Sequence, residues 1–293
     1  MPMPIASRFG NRFVVINKDQ VMYSPARLAR KYLHYYFTAA NGKGHGIHSP
    51  FVFDFVTSVL NDRGPYPAWA AIEELRLRLR KDERLLEIED LGAGSVWLGA
   101  GSAWNKASTR SIAAIARRAA KSPRLGQLLF RVARHYRPSV ILELGTSLGL
   151  SAAYLAAGAP GATVWTIEGS GAIAKTAADN LLGLGLTNVE ISTGNFDNLL
   201  DPLLDKIGPV GLAFVDGNHR CEPTLRYFER LICHAGRSAI LIFDDIHWSG
   251  EMEQAWMQIR EDPRVYLTID LFFIGLVVLR DEFKVRQGFT IRF

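Results

Sequence analysis

From residue 139 onward the chain alternates short apolar runs with helical segments, and few folds accommodate that alternation. SVILEL (139–144), TVWTIE (163–168), NVEIST (188–193), VGLAFVD (210–216) and SAILIFD (238–244) each read as a strand. Helical segments follow them at 148–157, 171–182, 197–206, 222–234 and 250–261, and RVYLTIDL and FIGLVVLR then make two adjacent apolar strands with a very short link. Strands joined through helices run parallel, and each crossover packs back on the sheet with one hand. The pattern therefore predicts an α/β, Rossmann-like, doubly wound and mostly parallel seven-stranded sheet with helices on both faces. Continuous runs such as AILIF suit strands buried on both sides. Ligands are expected at the carboxyl ends of the strands, near the point where strand order reverses.

Upstream the chain reads as an N-terminal helical extension. Ser24-Pro25, Ser49-Pro50 and Ser122-Pro123 repeat one helix-start signal, a capping serine followed by proline at the first helical position. Helices are predicted over 25–40, 51–60, 68–84, 108–121 and 124–136. Residues 91–108, with GAGS at 92–95 and again at 99–102, read as a loop. The expected division is a loose extension at 1–21, a helical cap region at 22–121 and a ligand-binding domain at 122–293. The front of the chain is basic: residues 1–125 carry 19 Lys and Arg against 10 Asp and Glu. These charges are interleaved with acids such as Glu73, Glu74, Asp82 and Glu83, as on an ordinary helix surface. No apolar run is long enough to span a bilayer, and the N-terminus lacks the apolar core of a secretory signal. Cys221 and Cys233, the only cysteines, fall in one helical segment, so a reducing cytoplasm is expected.

The chemistry-bearing segment is Glu143-Leu-Gly145-Thr-Ser147-Leu-Gly149-Leu-Ser151, which ends the first parallel strand and opens a helix. Gly145 lets the backbone turn sharply and approach a ligand, and free amides at the helix start can bind a carboxylate. Glu168 closes the next strand, where a carboxylate can accept from both hydroxyls of a ribose. A nicotinamide enzyme uses similar parts, but its fingerprint is GxGxxG beneath a diphosphate. Here the spacing is GTSLG after an acid, which suits a cationic sulfonium better. A second glycine turn, Asp90-Leu-Gly92-Ala-Gly94, is not followed directly by a strong helix.

Residues from about 122 to 280 resemble the catechol O-methyltransferase-like branch of the class I S-adenosylmethionine (SAM)-dependent methyltransferases. ELGTSLGLS resembles that family's first motif, TIEGS its ribose-binding acid at Glu168, and TGNFDN its adenine-contact loop with Gly194, Phe196 and Asp197. SPRLGQLLF resembles the helix bordering the methionine end. The whole chain, HGIHSPF included, is also similar to a group of bacterial methyltransferases, which implies the cofactor and names no acceptor. The resemblance implies SAM held by Glu143, Gly145, Ser147, Gly149, Ser151, Glu168, Gly194, Phe196, Asp197 and Asp216.

Three more acids close strands: Asp216 in FVDGNHR and Asp244-Asp245 in IFDDIHW. Neighbouring strand ends let these carboxylates converge, and hard oxygen ligands suit Mg²⁺, which would lower the pKa of a substrate hydroxyl. In the resembling family the ion is held by an acid after the fourth strand and Asp-Asn after the fifth; Asp216 and Asp244 match, and Asp245 replaces the Asn, as in related sugar O-methyltransferases. The family's general base is a lysine three residues after the first acid. Here that position is His219, and an imidazole can take a proton near neutral pH. His247 could be a second base or a ligand, Trp248 and Phe196 could line pockets, and His45 and His48 could reach the site from a cap. The function implied is metal-assisted O-methylation of a small hydroxylated molecule. A SAM enzyme acting on nucleic acid and a non-catalytic SAM-binding protein stay open as alternatives, although no nucleic-acid-binding signature is present. The expected partners are a small-molecule acceptor and, for assembly, a second copy of the chain.

Overall fold

The computed structural model describes residues 22–40, 42–44, 47–88, 108–118 and 120–293. The extension 1–21, His45, the Asp90–Gly94 turn and both GAGS segments lie outside the described residues. In chain order the first elements are α1 (Pro25–Thr38), α2 (Pro50–Asp54) running into a π-helical stretch Phe55–Leu60, α3 (Pro67–Leu79), β1 (Leu85–Ile88), β2 (Ser108–Ser111), α4 (Ile112–Arg118) and α5 (Pro123–Tyr136). Strand and helix then alternate: β3 (Val140–Leu144), α6 (Leu150–Gly158), β4 (Thr163–Glu168), α7 (Gly171–Gly183), β5 (Val189–Thr193), α8 (Phe196–Ile207), β6 (Val210–Val215), α9 (Cys221–Cys233), β7 (Ala235–Asp244) and α10 (Gly250–Glu261). The chain closes with β8 (Leu267–Asp270), β9 (Ile274–Val278) and β10 (Gln287–Thr290).

All seven expected strands lie in one sheet, and an eighth, β10, extends its edge. The order is β10-β8-β9-β7-β6-β3-β4-β5. β9 is antiparallel to both β7 and β8, and the other neighbours are parallel. Strand order reverses between β3 and β6, so the ligand crevice of a doubly wound sheet opens there. Period-two alternation fills two cores. Leu212, Phe214, Ile240 and Ile242 face one layer with α5 and the π-helical stretch. Ala213, Val215, Leu241 and Phe243 face the other, with α8, α9 and α10. Val52, Phe55, Val56 and Val59 belong to the first of these cores, so the N-terminal helical region shares its hydrophobic interior with the sheet.

The serine–proline signals all hold: Ser24, Ser49 and Ser122 each accept a backbone N–H of their helix. The helix expected over 108–121 begins only at Ile112, because Ser108–Ser111 pairs antiparallel with Leu85–Ile88 and Ser111 Oγ then accepts from Ala114 N. The helix expected over 68–84 stops at Leu79, and residues 80–84 form the turn that leads into β1. No described helix is long and apolar enough to cross a membrane.

Candidate active site

Register places the site. Ile167, Leu144, Val215 and Phe243 lie in one cross-strand row. The next residue along each strand therefore stands on a common rim: Glu168, Gly145, Asp216 and Asp244. Backbone bonds tie it together, Gly145 N to Ile167 O at 3.0 Å and Asp216 N to Leu144 O at 2.9 Å. Gly145 has φ +104°, and a Cβ there would sit 2.2 Å from the Asp216 carbonyl oxygen, so both conformation and space demand glycine. Gly149, at φ +85°, caps α6. Among the described non-glycine residues six have positive φ, and four of them, Ser147, Asn218, His219 and Asp245, lie on the turns leaving β3, β6 and β7. Strain held this way is a mark of a functional rim.

On the β3 side, Glu143 is fully buried. Thr166 donates to its Oε2 at 2.6 Å and is itself 2.6 Å from the Thr146 hydroxyl. Burial pushes the Glu143 carboxyl up to about 7, against the pull of the Ser151 and Thr166 hydroxyls. Its Oε1 finds no hydrogen-bond partner among the described residues. Glu168 accepts from Ser147 N at 2.8 Å and Ser170 N at 3.1 Å, one amide on each oxygen. Burial raises its carboxyl, and those amides pull it back. Gly194 N donates to the Glu168 carbonyl at 2.9 Å, which fixes the β5–α8 turn beside it. Phe196 is buried under the Asp216 turn, close enough that a Cβ on Gly217 would lie 2.5 Å from its ring. Asp197 faces α9 instead, in a two-pronged ion pair with Arg226 at 2.8 and 2.9 Å.

On the β6–β7 side, Asp216, His219 and Asp244 offer ligand atoms all within 4.8 Å of one another. His219 Nε2 is 3.5 Å from Asp216 Oδ1, and its Nδ1 is 3.9 Å from Asp245 Oδ2. Asp245 thus stands beside the cluster, and the three residues that converge are Asp216, His219 and Asp244. Asp244 is buried, and its Oδ1 has no hydrogen-bond partner among the described residues. Sequence reasoning missed Lys121, yet its ammonium lies 2.8 Å from Asp216 Oδ1 and also bonds Asp244 Oδ2. Burial alone would lower the Lys121 pKa; Asp216, Asp244 and Asp245 outweigh it and hold the amine well above its usual range. A narrow cleft lined by Ala120, Lys121, Thr146, Ser147, Leu148, Leu150, Ser151 and Asp216 joins the two halves of the site.

His247 lies outside this group. Its ring bonds Glu253 at 3.0 Å and Asp270 at 2.8 Å and stacks on Phe272. Burial would depress it, but the two carboxylates raise it to about 9, which favours the charged ring. Trp248 presents its backbone carbonyl to Tyr23 N, and His48 is an exposed residue before the α2 cap.

The comparisons with known proteins agree with this geometry. Residues 142–246 match the family described as a methyltransferase domain. A catechol O-methyltransferase of Niastella koreensis is 29% identical over 150 residues, 50% of this chain and 67% of that protein. A catechol O-methyltransferase of Mycobacterium tuberculosis is 32% identical over 146 residues, 49% of this chain. The chain spans 64% of that second relative's length, less than two thirds. Among solved structures, an O-methyltransferase of Bacillus cereus in complex with S-adenosylhomocysteine has a TM-score of 0.50 at 22% identity, covering 78% of this chain and 97% of that one. The S-adenosylhomocysteine-bound methyltransferase PaMTH1 of Podospora anserina has a TM-score of 0.50 at 17% identity, covering 75% and 100%. These two show the likeness of fold. With the glycine bend, the acids on successive strand ends and the strand order all in place, residues 142–246 match a methyltransferase domain, and about half of the chain is similar to catechol O-methyltransferases.

Proposed function

We propose that the protein methylates a hydroxyl oxygen of a small molecule with SAM as donor, assisted by a divalent cation at the acid cluster. One observation carries this reading. Two buried carboxylate oxygens, Glu143 Oε1 on β3 two residues behind the rim and Asp244 Oδ1 on the rim itself, lack any partner among the described residues. Buried acceptors of this kind are costly unless a ligand completes them. A cationic methyl donor fits the first and a hard metal ion the second.

In this reading Gly145, Ser147, Gly149 and Ser151 form the bend that receives SAM, with Glu143 behind it and Glu168 toward the ribose. Gly194, Phe196 and Asp197 border the adenine side, and Asp216 closes the floor. Asp197 would have to share its carboxylate with Arg226. Asp216 and Asp244 would hold the ion, with Asp245 beside them completing the set. SAM supplies an electrophilic methyl group: the acceptor oxygen bonds to that carbon as the C–S bond breaks, leaving S-adenosylhomocysteine and a methyl ether. A bound divalent ion supplies positive charge that makes a hydroxyl more acidic.

The chain's own residues position and move the proton. Thr146 and Thr166 aim Glu143, and the Ser147 and Ser170 amides fix both Glu168 oxygens. In this reading His219, flanked by Asp216 and Asp245, accepts the hydroxyl proton. The partners proposed are a small-molecule acceptor and a second copy of the chain; nucleic acid is not among them. Cys221 and Cys233 are both free thiols, which supports a cytoplasmic setting.

Methyl transfer from radiolabelled SAM to a panel of catechols and sugars, with and without chelator, tests the proposal. Labelled product that disappears with chelator and returns with Mg²⁺ is expected. Transfer indifferent to chelator removes the metal, and intact SAM across the whole panel points to a binding protein.

A further inference from the structure

The two acids best placed to hold a cation already share one. Lys121 Nζ lies 2.8 Å from Asp216 Oδ1 and hydrogen-bonds Asp244 Oδ2, with side-chain exposures of 17% for Lys121, 12% for Asp216 and 1% for Asp244. An ammonium between two carboxylate oxygens occupies the place a small hard cation would take. A divalent ion and a lysine cannot share that place, because like charges a few ångströms apart in a buried site repel strongly. The remaining charge still favours an ion. Asp216, Asp244 and Asp245 are three acids against one lysine, and Asp244 Oδ1 keeps an unsatisfied buried lone pair.

Lys121 is also held in place. Its carbonyl accepts from the buried Arg76 guanidinium, and Arg76 Nε is clamped by Glu73 at 2.9 Å. Glu73 in turn accepts from the Tyr154 hydroxyl at 2.6 Å. Arg76 and Glu73 belong to α3, so the N-terminal helical region aims a lysine at the rim of the sheet. The Ser122 cap of α5, the next residue, fixes where the lysine leaves the backbone.

We propose that Lys121 is a built-in occupant of the divalent-cation position. Its ammonium pairs Asp216 with Asp244 in the ion-free protein and has to withdraw before a divalent ion can enter, so Lys121 sets the ion affinity of the site. This inference rests on the metal-assisted reading above. The region before α5 thereby holds two neighbouring carboxylates together without an ion and makes ion entry competitive. Lys121 acts here as a positioning residue.

Calorimetric titration of the full chain with Mn²⁺, without SAM, tests it on the wild type, Lys121→Met, Lys121→Gln and Asp244→Asn. Circular dichroism and thermal melting check each fold, and the two lysine replacements guard against failure of either one. Both lysine variants should bind Mn²⁺ at least about tenfold more tightly than the wild type, and Mn²⁺ should raise their Tm by more. Asp244→Asn should lose binding. A merely structural lysine would loosen the acids when removed and weaken the ion, so tightening is the distinguishing result. If the wild type binds Mn²⁺ and folded lysine variants bind it no better, the inference is overturned and the metal-assisted reading stands. If neither the wild type nor the lysine variants bind Mn²⁺, the metal-assisted reading itself fails, and this inference with it.

Discussion

A methyl side chain at position 145 would put its carbon 2.2 Å from the Asp216 carbonyl, on a backbone already at φ +104°. Gly145→Ala therefore has to move the Asp216 turn. It should cost at least about 3 kcal/mol in urea unfolding and weaken SAM and metal binding together. Glu143 predicts the opposite balance. Its carboxyl is raised by burial to about 7, above the ordinary value of a free glutamate. The folded state therefore binds the extra proton between roughly pH 4.5 and 7, and stability falls as pH rises through that window. Glu143→Gln keeps the acceptor for Thr166 and removes the charge. It should raise the stability of the ligand-free protein at pH 8 by about 2 kcal/mol, measured by thermal melting at pH 5 and pH 8, with little effect at pH 5. SAM affinity should drop in the same variant. A loss of stability at pH 8 would show that Glu143 is not an ionised, under-satisfied acid waiting for a cation. The glycine bend and this acid were legible in the sequence because chemistry and backbone geometry there are local. Lys121 was not legible, since its partners Asp216 and Asp244 are far away along the chain and nothing in its own surroundings marks it.

Helix α1 is an element whose attachment can be tested. Tyr32 and Tyr35 pack on Phe272, and Tyr23 and Lys31 both bond Glu253 on α10, at 2.7 and 2.8 Å. His247 bridges Glu253 to Asp270 at the end of β8. Despite its burial, Glu253 is pulled down to about 2 by His247, Lys31 and Tyr23, so its stabilising share is complete above pH 4.5 and is lost as pH falls toward 2. His247 is raised to about 9, so its share is complete below roughly pH 6.5 and is lost as pH rises through 9. The wild type should therefore lose on the order of 2 kcal/mol more than His247→Gln between pH 7 and pH 10, read from denaturant melts at both pH values. Parallel pH curves for the two proteins would contradict the network. Element boundaries followed the sequence wherever apolar period and caps agreed, as in α10, whose observed limits equal those predicted. They failed where pairing was non-local: Ser108–Ser111 reads as a helix start until Leu85–Ile88 is brought beside it, and the short Gln287–Thr290 has no apolar run to announce an edge strand.

At the scale of the molecule, cross-strand register does the assembling. Four strand ends reach the same level, and their next residues are Glu168, Gly145, Asp216 and Asp244. The strands were readable from their Val, Ile and Leu content, and so was the expectation that acids on neighbouring ends converge. Which side chains complete the cluster was not readable, because turn geometry decides it: left-handed backbone at His219 and at Asp245 brings the imidazole, and not the second aspartate, into mutual reach with Asp216 and Asp244. The N-terminal helical region contributes to the same rim through the chain Tyr154, Glu73, Arg76 and Lys121. The central claim is that this carboxylate-lined bend holds a sulfonium donor, and calorimetric titration of the folded protein with SAM tests it most directly. Saturable one-to-one binding is predicted, weakened at least about tenfold in both Glu143→Ala and Glu168→Ala. A folded wild type with no measurable affinity for SAM or S-adenosylhomocysteine, or alanine variants that bind as well as the parent, would contradict it.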